Sequence, residues 1–146
     1  MKLKAHFTEY ETVHRDSRNH LTHFIGIPLI MIGIMGLAAQ IKIWPVASGF
    51  SIDVGLVLWA LYSLGVSLLS LRLSAGFNLI TLAFYFLSRA LSPALLVLLF
   101  VVGWALQLAG HHFFEKKSPA FLTNLKHLAV GPLWIYVRIF HIQETH

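Results

Sequence analysis

His14, Asn19, His20 and His23 crowd into the stretch HRDSRNHLTH, directly ahead of the first long apolar run of the chain. Imidazole and amide groups bind metals, hold substrate oxygens or carry protons. A second polar stretch, GHHFFEKKSPA at residues 110–120, follows the last long apolar run and supplies His111, His112 and Glu115. His111 and Glu115 stand four apart on one helical face, as do Asn19 and His23, and the two stretches together bring three or four histidines and a carboxylate within plausible reach of one point. Neutral imidazole is the commonest protein ligand of first-row transition metals, and two or three histidines with a carboxylate suit non-haem Fe(II) and oxygen chemistry. The absence of cysteine removes thiolate sites and disulfides.

Asn19 either orients a ligand imidazole or binds a substrate oxygen. His20 and His112 each adjoin a better placed histidine and rank second as ligands. Gln107, one turn before His111, either makes a polar contact between helices or lines the site. A single histidine near a membrane surface is ordinarily a hydrogen-bonded polar residue, and that reading is kept for His6, His127, His141 and His146. Spacing alone leaves both readings of the cluster open.

The elements that must position these groups are set by composition. Of 146 residues, 57% are hydrophobic and 12% charged, against roughly 25% charged in ordinary soluble domains. So much apolar surface exceeds what one small soluble core can bury, which points to a single membrane-embedded, all-α domain over residues 1–146. A crossing helix needs about 20 apolar residues. Four candidates satisfy or approach that, at residues 21–41, 52–71, 76–91 and 92–110, the last opened by Ser92 and Pro93 as cap and first helical position. Gly33 and Gly36 read as packing glycines. Leu3, Phe7, Tyr10 and His14 share one face of an amphipathic helix before the first span, and Asp16 or Ser17 can cap the helix that follows. The tail at residues 132–140 is too short to cross and reads as an interfacial helix, with Trp134 and Tyr136 at headgroup level.

Net charge is +5, but the basic residues flank apolar runs instead of forming a patch, which favours a lipid bilayer over nucleic acid as partner. Eight of the eleven Lys and Arg lie toward the two ends, and only Lys42, Arg72 and Arg89 fall at internal turns. By the positive-inside rule both termini are cytoplasmic, which requires an even number of crossings and brings both polar stretches to one surface. The N-terminus is too polar for a cleavable signal. The membrane would be the inner (plasma) membrane of a bacterium or the endoplasmic reticulum of a eukaryote.

Two motifs carry a resemblance. His14, Asn19, His23, Gly26, Ile27 and Pro28 form H-x4-N-x3-H-x2-G-I-P, and Gln107, Gly110, His111, Glu115, Pro119 and Ala120 form Q-x2-G-H-x3-E-x3-P-A. In that order, with Gly131 and Pro132 further on, the chain resembles the yeast-type 2-hydroxy fatty acid (2-hydroxypalmitate) dioxygenase family of small multi-span membrane proteins. The resemblance implies an Fe(II)-dependent enzyme of fatty acid alpha-oxidation that uses molecular oxygen to shorten a 2-hydroxy fatty acid by one carbon. It implies His14, His23 and His111 as iron ligands, Glu115 as fourth ligand or orienting base, and Asn19 as a supporting residue. Arg15, Arg18 or Lys116 would be placed to hold a carboxylate, although cations at a membrane surface ordinarily set topology. Competing readings are a di-iron fatty acid hydroxylase or desaturase, a haem-binding cytochrome, and a non-enzymatic carrier of metal or lipid.

Overall fold

The computed structural model describes residues 2–47, 49–116 and 126–142. Six α-helices, a short hairpin and one π-helical turn make up the described chain: α1 (Lys2–Val13), α2 (Ser17–Ala38), β1 (Lys42–Ala47), β2 (Phe50–Asp53), α3 (Val54–Leu69), α4 (Leu71–Arg89), α5 (Pro93–Gly110), the π turn (His111–Glu115) and α6 (Lys126–Ile139). Three helical stretches, Ser17–Ala38, Leu71–Arg89 and Pro93–Glu115, are long and apolar enough to cross a membrane, while the apolar Val54–Leu69 is shorter. The expected four spans are thus three full-length helices and one of 16 residues. Side chains such as Leu68 and Leu71, 80% and 79% exposed, fit a lipid surround rather than water.

Contacts divide the chain into two compact units, residues 29–102 and the two ends together (1–28 and 103–146). In the first, α3 and α4 run antiparallel, joined by the single residue Ser70, whose hydroxyl accepts from Leu73 N. Trp59 Nε1 donates to Thr81 Oγ1 at 3.1 Å, and Tyr62 meets Phe77 edge-on. A methyl on Gly33 would lie 2.8 Å from Phe100 Cβ, and one on Gly36 would overlap Leu96, so both are packing glycines as expected.

The chain is predominantly helical as expected; the short hairpin is an addition to that architecture and moves the start of the second span to Val54. β1 and β2 pair antiparallel, Trp44 opposite Ile52 and Pro45 opposite Ser51, with irregular register at both ends. Proline is disfavoured within strands, which hides β1 from sequence reasoning, and Gly49 at φ 78° supplies the left-handed turn residue. Isolated two-stranded hairpins are marginal. This one is tied down by Asp53, which is fully buried. Its Oδ1 caps α3 through Leu56 N at 2.9 Å, and its Oδ2 accepts from Arg89 at 2.7 Å and Tyr85 OH at 2.9 Å, with Lys42 Nζ at 3.6 Å. Two of the internal cations are therefore partners of one buried carboxylate.

In the unit formed by the chain ends, α1 packs on α6. Phe7, Tyr10 and His14 are buried along the predicted stripe. α2 starts four residues before the apolar run because Asp16 caps it, Oδ1 accepting from Arg18 N at 2.9 Å. At Ser92 the expected cap of α5 is present, its hydroxyl accepting from Leu95 N.

Trp134 is only 1% exposed, so it is not a headgroup anchor. It packs against Tyr10, His20 and Phe24 and donates to Glu11 Oε1 at 3.0 Å, a carboxylate that also pairs with Arg138. These bonds hold the Glu11 carboxyl below its ordinary value against the opposing effect of partial burial.

Candidate metal centre

Three elements from two stretches far apart in sequence meet at one point. His14 follows the end of α1, His23 lies in the second turn of α2, and His111 opens the π turn after α5. All three are buried, at 4%, 2% and 3% exposure, and each offers a ligand atom within 4.8 Å of the others. Their ring centroids form a near-equilateral triangle of 4.7, 4.9 and 5.0 Å sides.

The orientation of two rings is decided by the backbone. His14 Nδ1 lies 2.7 Å from Tyr10 O, and His23 Nδ1 lies 2.8 Å from Asn19 O. A carbonyl oxygen only accepts, so each Nδ1 carries the proton and each Nε2 keeps its lone pair. That is the tautomer a metal ligand needs, held by the outer bond that metal-binding histidines ordinarily make. Burial pushes the His14 imidazole down to about 4, so it is neutral and free to donate its lone pair at neutral pH. Tyr10 stacks on the His14 ring at 3.9 Å and nearly parallel, fixing its plane. Three buried, convergent imidazoles, two of them already oriented, fit a divalent first-row metal.

The helices can approach this closely because of two glycines. A methyl at Gly110 would overlap Thr22 Oγ1 and Asn19 Oδ1, and one at Gly26 would overlap Gln107 Nε2 and lie 2.9 Å from Gly103 O. Gln107 Nε2 uses that gap to donate to Thr22 O at 3.2 Å, so it is a contact between helices rather than a residue turned to the triad.

Glu115 is brought to the site but lies outside the group of converging ligand atoms. Its Oε1 accepts from Arg15 N at 2.7 Å, Asp16 N at 2.9 Å and Asn19 Nδ2 at 3.2 Å. One carboxylate thus ties the π turn to the joint between α1 and α2, across about a hundred residues. Lys116, at φ 53°, closes the π turn by donating its backbone N–H to His111 O. Asn19, fully buried, holds Glu115 through its side chain and His23 through its carbonyl.

The second-rank histidines take other roles. His20 Nε2 donates to His14 O at 2.8 Å, so it braces the backbone of a candidate ligand. His112 is exposed and meets Phe113 edge-on. Arg15 Nε donates to Thr12 O, and Arg18 is engaged with Asp16 and lies over the Phe114 ring. His6 is half-buried and His141 exposed. Pro119, Ala120 and His146 lie outside the described residues.

Sequence reasoning missed His127. It is buried beside the centre, its ring 6.4 Å from His14 and 5.6 Å from Tyr10, and neither ring nitrogen has a hydrogen-bond partner among the described residues. The signal was its spacing from Gly131 and Trp134, which puts the three on one face of α6.

A helical, lipid-compatible chain with a buried three-histidine centre built from both of its ends is a distinctive combination. The family described as "2-hydroxy-palmitic acid dioxygenase Mpo1-like" matches residues 1–142, and the chain belongs to that family. It is 30% identical over 140 residues to the 2-hydroxy-palmitic acid dioxygenase MPO1 of Saccharomyces cerevisiae, a match covering 92% of this chain and 78% of that protein. No solved structure matches the chain.

Proposed function

We propose that this protein is an Fe(II)-dependent dioxygenase that converts a 2-hydroxy fatty acid to the product one carbon shorter, at a membrane surface. The observation that carries the reading is the triad itself, with the Nε2 lone pairs of His14 and His23 left free by bonds from Nδ1 to backbone carbonyls. Membership of the family, and a yeast relative named for its action on 2-hydroxy-palmitic acid, support the substrate class.

His14, His23 and His111 would hold the metal, which when bound supplies the redox and Lewis-acid chemistry that side chains lack. A site with three protein ligands would leave open positions on the metal for the reactants. The protein's own part is geometric. Tyr10 and the carbonyls of residues 10 and 19 fix two ligand rings, Glu115 and Asn19 hold the three segments together, and burial excludes water. Glu115 serves as an orienting group rather than a fourth ligand. One converging group among the described residues favours a single metal over a di-iron arrangement.

A membrane setting follows from the apolar helices. The chain leaves the centre through α2 and returns to it through α5, so α3 and α4 either both cross or neither does. With the positive ends this supports an even number of crossings and cytoplasmic termini. The decisive experiment is metal analysis of purified protein with oxygen uptake on 2-hydroxypalmitate and on palmitate. One iron per chain, and oxygen-dependent loss of one carbon from the hydroxy acid alone, are expected, because a site built for a hydroxyl rejects analogues lacking it. Each of His14→Ala, His23→Ala and His111→Ala should strip metal and activity. A product retaining every carbon, or full metal occupancy in His111→Ala, would overturn the reading.

A further inference from the structure

Buried polar groups without partners are rare, and each calls for an explanation. His127 is 9% exposed, yet neither Nδ1 nor Nε2 is hydrogen-bonded among the described residues. A neutral imidazole carries one N–H donor and one acceptor, so both capacities are left over. The nearest carboxylate oxygen, Glu9 Oε1, stands at 3.6 Å, too far for a hydrogen bond, and its side chain is half exposed.

The position of this orphan matters as much as its state. Its ring is tilted by 58° against His14 at 6.4 Å, too far to join the liganding triangle and close enough to touch a group seated against that ring. It also stands edge-on to Tyr10 at 5.6 Å, the ring that stacks on His14. Two of the cations that flank the centre in sequence, Arg15 and Arg18, are already engaged locally. His127 is therefore a buried polar side chain beside the cluster whose hydrogen-bonding capacity is unused among the described residues.

We propose that His127 is a substrate-binding residue, its ring N–H donating to the 2-hydroxyl oxygen of the 2-hydroxy acid held at the triad. The inference rests on the function proposed above and adds the residue that selects the head group. The acyl chain contributes nothing to this contact, so His127 governs recognition of the polar end and not of chain length.

The test uses full-length protein in phosphatidylcholine nanodiscs, comparing wild type with His127→Leu and His127→Asn. Iron per chain, the unfolding midpoint of the metal-free protein, steady-state oxygen uptake, and anaerobic binding of 2-hydroxypalmitate against palmitate are measured. His127→Leu should keep its iron and unfold at or above the wild-type temperature, because an orphaned buried polar group is replaced by an apolar one. Its preference for 2-hydroxypalmitate in binding should fall by about tenfold to a hundredfold, with kcat/KM falling alike. His127→Asn, which keeps an N–H donor, should recover part of both. Loss of iron in His127→Leu would make His127 a ligand instead, and a lower midpoint with unchanged preference would make it structural; either overturns the proposal. Should wild type bind 2-hydroxypalmitate without consuming oxygen, the proposed reaction fails while the binding arm still decides His127. Wild type that does not prefer 2-hydroxypalmitate to palmitate overturns both.

Discussion

Glu115→Ala removes one oxygen that three donors share, and the cost can be worked out donor by donor. Arg15 N, at 2.7 Å, belongs to an exposed residue and can turn to water, so its loss contributes little. Asp16 N at 2.9 Å and Asn19 Nδ2 at 3.2 Å are part-buried, and Asn19 itself is fully enclosed. Hydrogen bonds to a charged acceptor contribute roughly 1.5–3 kcal/mol each, less where water has access, so the two inner bonds together suggest about 3 kcal/mol. Glu115→Gln keeps the acceptor oxygen and loses only the charge, which about halves the strength of such bonds, for a cost of about 1.5 kcal/mol. Chemical unfolding of metal-free protein in nanodiscs, with iron content read in parallel, separates the two roles open to this carboxylate. If it orients, stability of the metal-free protein falls in the order wild type, Gln, Ala, and the Gln variant still binds iron. Unchanged metal-free stability in both variants, with iron lost from the Gln variant, would refute the reasoning and make Glu115 a ligand.

Three further outcomes are expected. Gly110→Ala drives a methyl into Thr22 Oγ1 and Asn19 Oδ1, and overpacking of this kind costs about 1–3 kcal/mol; a lower unfolding midpoint with weakened iron binding is expected, and an unaffected midpoint would contradict the close approach. Asp53→Ala strands Arg89 and Lys42 beside a buried site and should cost about 3 kcal/mol in unfolding experiments, while the iron content of the folded fraction, set by His14, His23 and His111, stays at one per chain. Because burial lowers His14 to about 4 from an ordinary value near 6.5, the unfolded chain takes up a proton that the fold refuses; metal-free stability should therefore fall as pH drops from about 6.5 to 4, by at most about 3 kcal/mol, and a wild-type profile no steeper than that of His14→Gln would disprove it.

The polar residues of the centre were legible because each is a departure from an apolar background. His14 could be placed at the end of a buried stripe, and Asn19 and His23 on one face, from 3.6-residue periodicity alone. What periodicity cannot supply is the direction of a bond. Asn19 serves His23 through its carbonyl, which every residue possesses, and Glu115 reaches the α1–α2 joint through a π turn that no spacing announces. The hairpin at Lys42–Asp53 was hidden for another reason: Pro45 argues against a strand, and the buried Asp53 that secures it finds its partners Tyr85 and Arg89 more than thirty residues away.

Trp134 and His127 mark a deeper limit. In a soluble protein the apolar face of a helix is the face that packs, so periodicity identifies the core. In a chain whose surroundings are themselves apolar, lipid-facing and protein-facing positions share one composition, and a tryptophan near a chain end is equally an interface anchor or a core residue. Here the deciding feature lies on the opposite helix. Tyr10 meets Trp134 at 5.1 Å and His127 at 5.6 Å, and a methyl on Gly131 would come within 3.2 Å of Tyr10 OH. The face of α6 that carries residues 127, 131 and 134 is therefore the one that closes on α1. Tyr10, which stacks on His14, is the residue through which that closure bears on the three-histidine cluster.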